Sequence, residues 1–340
     1  MIHGSIAPVE PVSWQNLLAD SVTDPAALLR RLDLDPALLP QVTAAAADFS
    51  LRVPEPYIVR MRRGDLTDPL LRQILPVGEE LLDQPGYVSD PLGEEAANAR
   101  PGIIHKYAGR LLLVVSAGCA VNCRYCFRRH FPYEDNRLGT DDWIKALEYI
   151  RNDPSIREVI YSGGDPLAAS DRRLAWLTKE IAAIPHVRRL RVHTRLPVVI
   201  PQRITHGLID ALCGTRLPVT MVLHCNHANE LDTQLAQAVR TLRQAQVMVL
   251  NQAVLLRGVN DRLEDQLALS EILGDHGVLP YYLHVLDRVR GAKHFDVSEA
   301  EASQLVGRML TRLPGFLVPR LVREVAGEHG KVPLPVELMD

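Results

Sequence analysis

The sequence has no strong excess of charge of either sign, and this absence excludes several classes of protein. Its 38 lysines and arginines nearly balance its 41 aspartates and glutamates, so the formal net charge at pH 7 is −3. Proteins that bind nucleic acid or anionic membranes usually carry a clear basic patch or excess. We therefore expect a protein that binds neither nucleic acid nor membranes and that acts on a small molecule.

Long hydrophobic runs are also missing. The first residues, MIHGSIAPVEPVSW, lack the basic stretch followed by an apolar stretch that marks a secretory signal. The most apolar run, residues 111–115, is far shorter than the roughly 20 residues that a membrane-spanning helix needs. Hydrophobic residues still make up 47% of the chain, which is enough for a substantial core. These features predict a cytoplasmic globular protein.

Cysteine is scarce, yet three of the five cysteines lie close together. Cys119, Cys123 and Cys126 form the pattern C-x3-C-x2-C, whereas Cys213 and Cys225 are isolated beside apolar segments and are expected to be inert. A reducing cytoplasm disfavours disulfides, and structural zinc sites need four ligands, usually in paired half-sites. Iron–sulfur cubanes are normally held by four thiolates, so three would leave one iron open. The pattern favours an iron–sulfur site, with structural zinc as the alternative.

The pattern of apolar and polar residues changes at about residue 110. Residues from about 10 to 100 show helical patterns punctuated by Pro and Asp, without a strand pattern. After them come apolar runs at residues 110–116, 157–163, 188–194, 218–225, 247–255 and 279–287. From the second run onward they recur at roughly 30 residues, the length of a βα unit. Such runs, separated by helices, predict a parallel sheet covered on both faces.

A polar or reactive group lies in or just past each apolar run. In chain order these are Cys119; Ser162, Gly163 and Gly164; His193 and Arg195; His224 and Asn226; Asn251 and Gln252; His284 and Asp287. Barrels assemble their chemistry from the ends of many strands, whereas a doubly wound sheet concentrates it at one switch point. We therefore predict an α/β fold with an incomplete (βα)6 barrel, closed on one side by the N-terminal helices or the C-terminal tail. The predicted division is a helical region at 1–105, the barrel at 106–312 and the tail at 313–340.

The cysteine pattern, with an aromatic Tyr125 before the third cysteine, resembles the signature of the radical S-adenosylmethionine enzymes. From about residue 86 to residue 335 the chain is also similar to the lysine 2,3-aminomutase family. The similarity lies in HKYAGRLLL, CAVNCRYCFRRHFPY, YSGGDPL, TRLPVVIPQRI, HCNHANEL, LLRGVND and the Gly-flanked Lys331. Within that family it looks most like the members that make (R)-β-lysine for elongation factor P. The resemblance implies a radical-SAM partial TIM barrel, a [4Fe–4S] cluster, S-adenosyl-L-methionine and pyridoxal 5′-phosphate.

The resemblance also implies roles for individual residues. The three clustered cysteines would hold the cluster, and Lys331 would carry pyridoxal 5′-phosphate as a Schiff base, with Lys106 and Arg110 near the phosphate. The other implied cofactor-binding residues are Ser162, Gly163, Gly164, Asp165, His224, Asn226 and Gln252. Taken without the resemblance, His224, Asn226 and Gln252 are equally well explained as satisfied polar core residues. In the same way, a lysine between glycines is ordinarily a solvated turn residue.

Three residues are implied in substrate binding. Arg128 matches an arginine that grips the substrate carboxylate, a task suited to a planar, two-pronged donor. Asp287 and Glu324 match two acids that are aspartates in lysine-specific members, and Glu324 is one methylene longer. Together they would neutralise the ε-ammonium of L-lysine. We expect an isomerase that converts free L-lysine to (R)-β-lysine, receives electrons from a donor such as flavodoxin or ferredoxin, and is linked to the elongation factor P β-lysine ligase.

Two other functions stay open from the sequence. The first is a lysine 2,3-aminomutase, or an aminomutase for another amino acid, that serves free β-amino-acid metabolism. The second is of a different class: an iron–sulfur binding or electron-transfer module without catalysis. The six populated strand ends and the candidate Schiff-base lysine argue against the second.

Overall fold

Apolar and β-branched segments build one continuous sheet in the computed structural model, which describes residues 13–136 and 138–337. The described residues form the strands β1 (Asn98–Arg100), β2 (Ile103–Tyr107), β3 (Arg110–Ser116), β4 (Glu158–Gly163), β5 (Arg189–Thr194), β6 (Val219–Leu223), β7 (Met248–Val254), β8 (Leu279–His284), β9 (Arg320–Arg323) and β10 (Val332–Pro333). Strands β3 to β8 agree with the six predicted runs to within three residues at either end. Each of them pairs in parallel with the next. The prediction of an incomplete α/β barrel is confirmed.

Helices precede β1 and also connect the parallel strands from β3 to β9. The described residues form α1 (Trp14–Ala19), α2 (Pro25–Arg31), α3 (Leu39–Asp48), α4 (Glu55–Ile58), α5 (Pro69–Arg72), α6 (Glu94–Ala97), α7 (Thr140–Asn152), α8 (Asp171–Ala182), α9 (Leu196–Val199), α10 (His206–Cys213), α11 (Thr233–Gln244), α12 (Leu263–Asp275) and α13 (Glu299–Leu310). Ser170, Thr205 and Asp232 accept hydrogen bonds from backbone N–H groups in the first turns of α8, α10 and α11. These caps define where the helices begin. None of the helices in the described residues is long and apolar enough to cross a membrane.

Further strands extend the sheet at both ends and were not predicted. On one side β9 continues the parallel order after β8, and β10 pairs with β9 in antiparallel fashion. On the other side β2 pairs antiparallel with β3, and β1 with β2. Residues 98–100 and 103–105 therefore lie in strands inside the region 1–105 that was predicted to be helical, because Ile103 and Ile104 pair with the apolar residues Leu113 and Leu112 of β3. The division at residues 105 and 312 stays a prediction.

The N-terminal helices and the tail both contact the C-terminal ends of the parallel strands. Tyr57 of α4 donates to Glu230 at 2.7 Å, and Arg60 donates to the carbonyl oxygen of Val198 at 2.7 Å; these acceptors follow β6 and β5. On the opposite flank, Tyr107 of β2 donates to Glu324, just after β9, at 2.8 Å. The contact of Tyr107, which pairs with the first residue of β3, thus connects the first and last parts of the open sheet. The contacts of Tyr57 and Arg60 lie beside the C-terminal strand ends, where barrels place their chemistry.

Candidate active site

A cavity of about 580 Å³ lies at these strand ends and gathers the predicted site residues. Its lining includes Lys106, Arg110, Cys119, Cys123, Cys126, Arg128, Ser162, Gly163, Gly164, Asp165, His224, Asn226, Gln252, Asp287, Glu324 and Lys331. Every residue predicted to hold a cofactor, a metal or the substrate therefore borders one space, although their individual roles stay predictions. Asn251, also noted at a strand end, does not line it and bonds to the backbone of Cys225. A cavity of this volume is within the range of small-molecule and cofactor sites.

The cysteines lie on the cysteine loop, residues 117–136, which follows β3. This loop is fastened to the N-terminal region by backbone bonds from Asn122 to Arg52 at 3.0 Å and from Arg124 to Gln73 at 2.9 Å. The Arg124 guanidinium is fully buried and makes two bonds to Glu80, at 2.9 and 2.6 Å. Buried, hydrogen-bonded pairs of this kind fix one backbone arrangement, so the loop has a defined shape in the protein alone.

Arg129, for which the sequence indicated no role, belongs to the same anchor. Its Nη2 donates to Glu80 at 2.9 Å, and the Arg124 and Arg129 guanidinium groups lie 4.7 and 4.6 Å from the centre of the Phe49 ring. Two arginines therefore share one carboxylate and one aromatic ring. The partners are distant in sequence, and no local pattern indicated the pairing.

The three cysteines are half-buried at the wall of the cavity. Burial raises the pKa of Cys126 to about 11 and also raises those of Cys119 and Cys123. A raised pKa means that forming the thiolate costs free energy. Bound iron would offset this cost, because a metal deprotonates the thiol that coordinates it. Within the described residues, no three His, Cys, Asp or Glu side chains converge on the position of a single ion. Ligation of a cubane does not need such convergence, since each thiolate binds a different iron.

The turn after β4 requires glycine. Gly163 has φ of 118°, and a Cβ atom on it would lie 2.4 Å from the carbonyl oxygen of Ser116. A Cβ on Gly164 would lie 2.7 Å from the carbonyl oxygen of Gly118. Only residues without Cβ allow this turn to pack against the start of the cysteine loop.

Asp165 braces the same turn against the end of β5. Its carboxylate accepts bonds from Thr194 Oγ1 at 2.7 Å and from the backbone N–H groups of Arg195 and Leu196 at 2.7 and 2.8 Å. Burial raises the pKa of Asp165, although these bonds oppose the effect. The side chain is thus engaged by the protein itself, and any direct contact with a cofactor stays a prediction.

Neutral imidazoles form another wall of the cavity. Burial lowers the pKa of His224 to about 3 and lowers those of His193 and His284 well below the usual value. Gln252 Nε2 lies 3.0 Å from His224 Nε2. Within the described residues, Gln252 Oε1, His193 Nε2 and His284 Nε2 are buried without a hydrogen-bond partner. Such groups are normally paired, so this wall is suited to a polar ligand.

Asn226 differs from these neighbours because the protein satisfies its amide. Its Nδ2 donates to Tyr125 Oη at 2.7 Å and to Gln73 Oε1 at 3.0 Å, and its Oδ1 accepts from the backbone of Val254 at 2.9 Å. The amide therefore ties the cysteine loop to the end of β7. Its expected contact with a cofactor is not tested by these bonds.

Lys331 lies beside Glu324 in the tail. The Lys331 Nζ donates to Glu324 Oε2 at 2.9 Å, while Lys106 Nζ lies 3.5 Å from Glu324 Oε1. Burial alone would raise the pKa of Glu324, but these two ammonium groups hold it at about 2. The Arg110 guanidinium stacks 4.4 Å from the centre of the Tyr107 ring. A cluster of cations with one shared carboxylate therefore surrounds the predicted cofactor lysine.

Asp287 has a different electrostatic environment from Glu324. Burial, followed by the nearby charge of Glu324, raises the pKa of Asp287 to about 7. Both acids line the candidate site and also a second cavity of about 700 Å³. A carboxylate held in this way becomes fully charged when a cation approaches it, which is the property expected of an ammonium-binding group.

Arg128 has a partner that the sequence did not indicate. Glu94 Oε2 accepts from Arg128 Nε at 2.6 Å, and Oε1 accepts from Arg128 Nη2 at 2.8 Å. Burial opposes the charge of Arg128, but the Glu94 carboxylate more than offsets this and raises its pKa. In DPLGEE, a glutamate at the start of a helix is ordinarily a solvated first-turn acid. No sequence signal distinguished Glu94 from its exposed neighbour Glu95.

Comparison with known proteins adds to this geometry. Residues 113–219 match the Radical SAM superfamily. The chain is 51% identical to an L-lysine 2,3-aminomutase from Escherichia coli (strain K12), over 96% of this chain and 95% of that protein. An L-lysine 2,3-aminomutase from Haemophilus influenzae is 49% identical, over 96% of this chain and 98% of its own. One from Clostridium subterminale is 36% identical, over 82% of this chain and 67% of its own.

Proposed function

Because this chain belongs to the lysine 2,3-aminomutase family of radical S-adenosylmethionine enzymes, we propose that it converts free L-lysine to (R)-β-lysine for the modification of elongation factor P. Family membership makes the protein an isomerase and implies a [4Fe–4S] cluster with S-adenosylmethionine. The observation that carries the proposal is the single cavity bordered by the three cysteines, Lys331 and the acids Asp287 and Glu324.

The residues of the cavity fit the proposed cofactors. Three half-buried cysteines offer cluster ligands, the glycine turn offers backbone groups to the amino end of S-adenosylmethionine, and the atoms of Gln252, His193 and His284 that have no partner within the described residues offer polar contacts. When bound, the cluster and S-adenosylmethionine supply a carbon-centred radical that abstracts hydrogen, and pyridoxal 5′-phosphate supplies the electrophilic carbon that holds the migrating nitrogen. The protein binds and orients these groups and excludes water.

Lys331 is the residue proposed to attach pyridoxal 5′-phosphate. Lys106 and Arg110 would neutralise the phosphate. Lys106 Nζ is buried and makes no hydrogen bond within the described residues, since its nearest carboxylate oxygens lie 3.5 and 3.6 Å away. The ammonium is thus held only by longer ion-pair contacts, and its three N–H groups can still donate to an anion. Borohydride reduction of the protein loaded with pyridoxal 5′-phosphate, followed by peptide mapping, should label Lys331; a label on another lysine would contradict this assignment.

The substrate is proposed to bind through both of its charged ends. Arg128 would bind the α-carboxylate, while Asp287 and Glu324 would bind the ε-ammonium. Buried charges cost several kcal/mol unless they are paired. A site with an arginine at one end and two carboxylates at the other therefore selects an amino acid with a cationic side chain. Glutamate lacks that cation, and norleucine lacks any charge at the far end. Both should be poor substrates.

The route of the product and the source of electrons extend the proposal beyond the site. We assign (R)-β-lysine to a separate ligase that attaches it to elongation factor P, and the reducing electron to a donor such as flavodoxin or ferredoxin. An aminomutase for free β-amino-acid metabolism would use the same site. The strong identity to relatives of nearly the same length supports the general reaction in both cases.

The experiment that tests the reaction is anaerobic incubation of the reconstituted protein with a reductant, S-adenosylmethionine, pyridoxal 5′-phosphate and a panel of amino acids. Formation of (R)-β-lysine from L-lysine, with little product from glutamate or norleucine, is expected. Equal turnover of glutamate would contradict the lysine assignment. The pathway has its own test: cells without this protein should contain elongation factor P that lacks the β-lysyl mass, and added (R)-β-lysine should restore it.

A further inference from the structure

Glu94 is a buried carboxylate at the wall of the cavity, and its contacts single it out from the other acids. It binds Arg128 through both oxygens, at 2.6 and 2.8 Å. Only 5% of the Glu94 side chain and 11% of the Arg128 side chain are exposed. Two charged groups that lose this much hydration are stable together only with close and well-aligned geometry. The pair is therefore a specific feature and not a surface ion pair.

The geometry of the pair determines which face of the guanidinium remains for a ligand. Glu94 occupies the side face, formed by Nε and Nη2. Within the described residues, Nη1 donates to Ser162 Oγ at 3.1 Å and to the carbonyl oxygen of Gly163 at 3.3 Å. A planar guanidinium has five donors, so the second N–H of Nη2, which points to the end face formed by Nη1 and Nη2, is the one left without an acceptor in the described part of the chain. A second carboxylate can therefore accept from Nη2 at the end face, where it would share or displace the contacts of Nη1, while Glu94 holds the side face.

The backbone of Glu94 is itself firmly placed. The Asp90 carboxylate accepts from the N–H groups of Glu94 and Glu95, at 2.9 and 3.0 Å. A few residues earlier, Val88 forms a parallel β-bridge with Val289, which follows β8. The segment that ends in Glu94 is thus attached to the far side of the barrel, and the carboxylate is held by more than its bond to Arg128.

Glu94 also connects the two ends of the cavity. Lys106 Nζ lies 3.6 Å from Glu94 and 3.5 Å from Glu324, and Glu324 in turn binds Lys331 at 2.9 Å. Charges of alternating sign therefore run without interruption from Arg128 to Lys331. Loss of the Glu94 charge would leave two neighbouring cations, Arg128 and Lys106, without the anion that they share.

We propose that Glu94 is a positioning residue for the reaction, which clamps Arg128 from the side so that its end face receives the substrate carboxylate. This inference rests on the proposed function, because that function supplies the carboxylate. Glu94 acts through Arg128 and contacts no reacting atom. It should therefore determine the KM for lysine more than the rate of the chemical step.

The test compares Glu94→Gln, which keeps the size of the side chain but removes its charge, with Glu95→Gln at the exposed neighbouring position. In Glu94→Gln, the KM for L-lysine should rise about tenfold or more, equivalent to about 1.4 kcal/mol. The kcat should stay within about threefold of the parent value, as expected for an interaction made in both the ground and transition states. Iron content and cofactor absorbance should not change, and Glu95→Gln should behave like the parent enzyme.

A double-mutant cycle with Arg128→Lys separates positioning from a general structural role. If Glu94 acts through Arg128, Glu94→Gln should add less than about twofold to the KM of Arg128→Lys, since residues that act as a unit are not additive. Glu94→Asp keeps the charge at shorter reach and should fall between parent and Glu94→Gln. Additive effects, an unchanged or lower KM in Glu94→Gln, or loss of iron in that variant would each overturn the inference. A parent enzyme that turns over no lysine would instead overturn the proposed function.

Discussion

The two sides of the cavity are held in place by different means. On the cysteine side, formed by the cysteine loop and the turn after β4, the supporting bonds join separate segments of the chain: Arg124 binds Glu80, and Asp165 binds the end of β5. One ion pair of this side, Arg128 with Glu94, lies at the cavity wall. On the tail side, formed by the end of β8 and residues 324–331, charged groups inside the cavity bind one another, as Lys331 binds Glu324. The cysteine side is therefore shaped before a ligand arrives, whereas the ligands proposed for the tail side would have to rearrange its ion pairs.

The largest effect expected on the cysteine side is loss of the cluster. Replacement of Cys119, Cys123 or Cys126 by Ala should remove both iron and activity, because a cubane held by three thiolates has no spare protein ligand. Iron analysis and the visible spectrum after anaerobic reconstitution measure this. Cys213→Ala and Cys225→Ala are the controls, and cluster loss in either of them would show that the assignment of the ligands is wrong.

The anchor behind the cysteine loop should matter for stability. Glu80→Ala leaves two fully buried guanidinium groups without their shared carboxylate. Removal of one partner from a buried ion pair costs about 3–5 kcal/mol, so chemical unfolding of the cluster-loaded protein should occur at clearly lower denaturant. The exposed neighbour Glu79 is the control, since surface changes usually stay within about 0.5 kcal/mol. Equal stability of the two variants would contradict the described anchor.

On the tail side, the expected loss is in turnover and not in folding. Asp287→Asn removes one of the two acids proposed to bind the substrate ammonium, and the same cost of about 3–5 kcal/mol corresponds to roughly two to three and a half decades in kcat/KM for lysine. Steady-state kinetics measure this loss, with exposed Asp275→Asn as the control. Lysine kinetics in Asp287→Asn that match those of the parent would exclude an ammonium-binding role.

The sequence predicted the features that have a local signal and missed those that depend on contacts between distant residues. The strands β3 to β8 were found because their continuous apolar runs are a local signal, and the cysteines because of their spacing. Lys331 and the two acids came from the family resemblance. Glu94 and the pairing of Arg124 with Glu80 were missed, because each joins residues 34 or 44 positions apart and leaves no periodic pattern. The strands β1, β2, β9 and β10 were missed because they are short and gain their stability from pairing with longer neighbours.

The smallest expected effect is the pH dependence of kcat/KM for lysine, which tests the charge of Asp287 on the tail side. Burial raises the pKa of Asp287 to about 7, with the charge of Glu324 as the second cause. Below that pH the free enzyme carries a neutral Asp287, which cannot attract an ammonium, so kcat/KM for lysine should fall by up to about tenfold per pH unit as the pH decreases. Above it the carboxylate is charged and kcat/KM should reach a plateau.

Because kcat/KM reports the free enzyme, this decline at low pH should disappear in Asp287→Asn, which should show a low and flat profile between pH 6 and about 8. A decline that persists unchanged in the variant would assign the titration to another group. It would also show that the tail side recognises lysine without a charge change at Asp287.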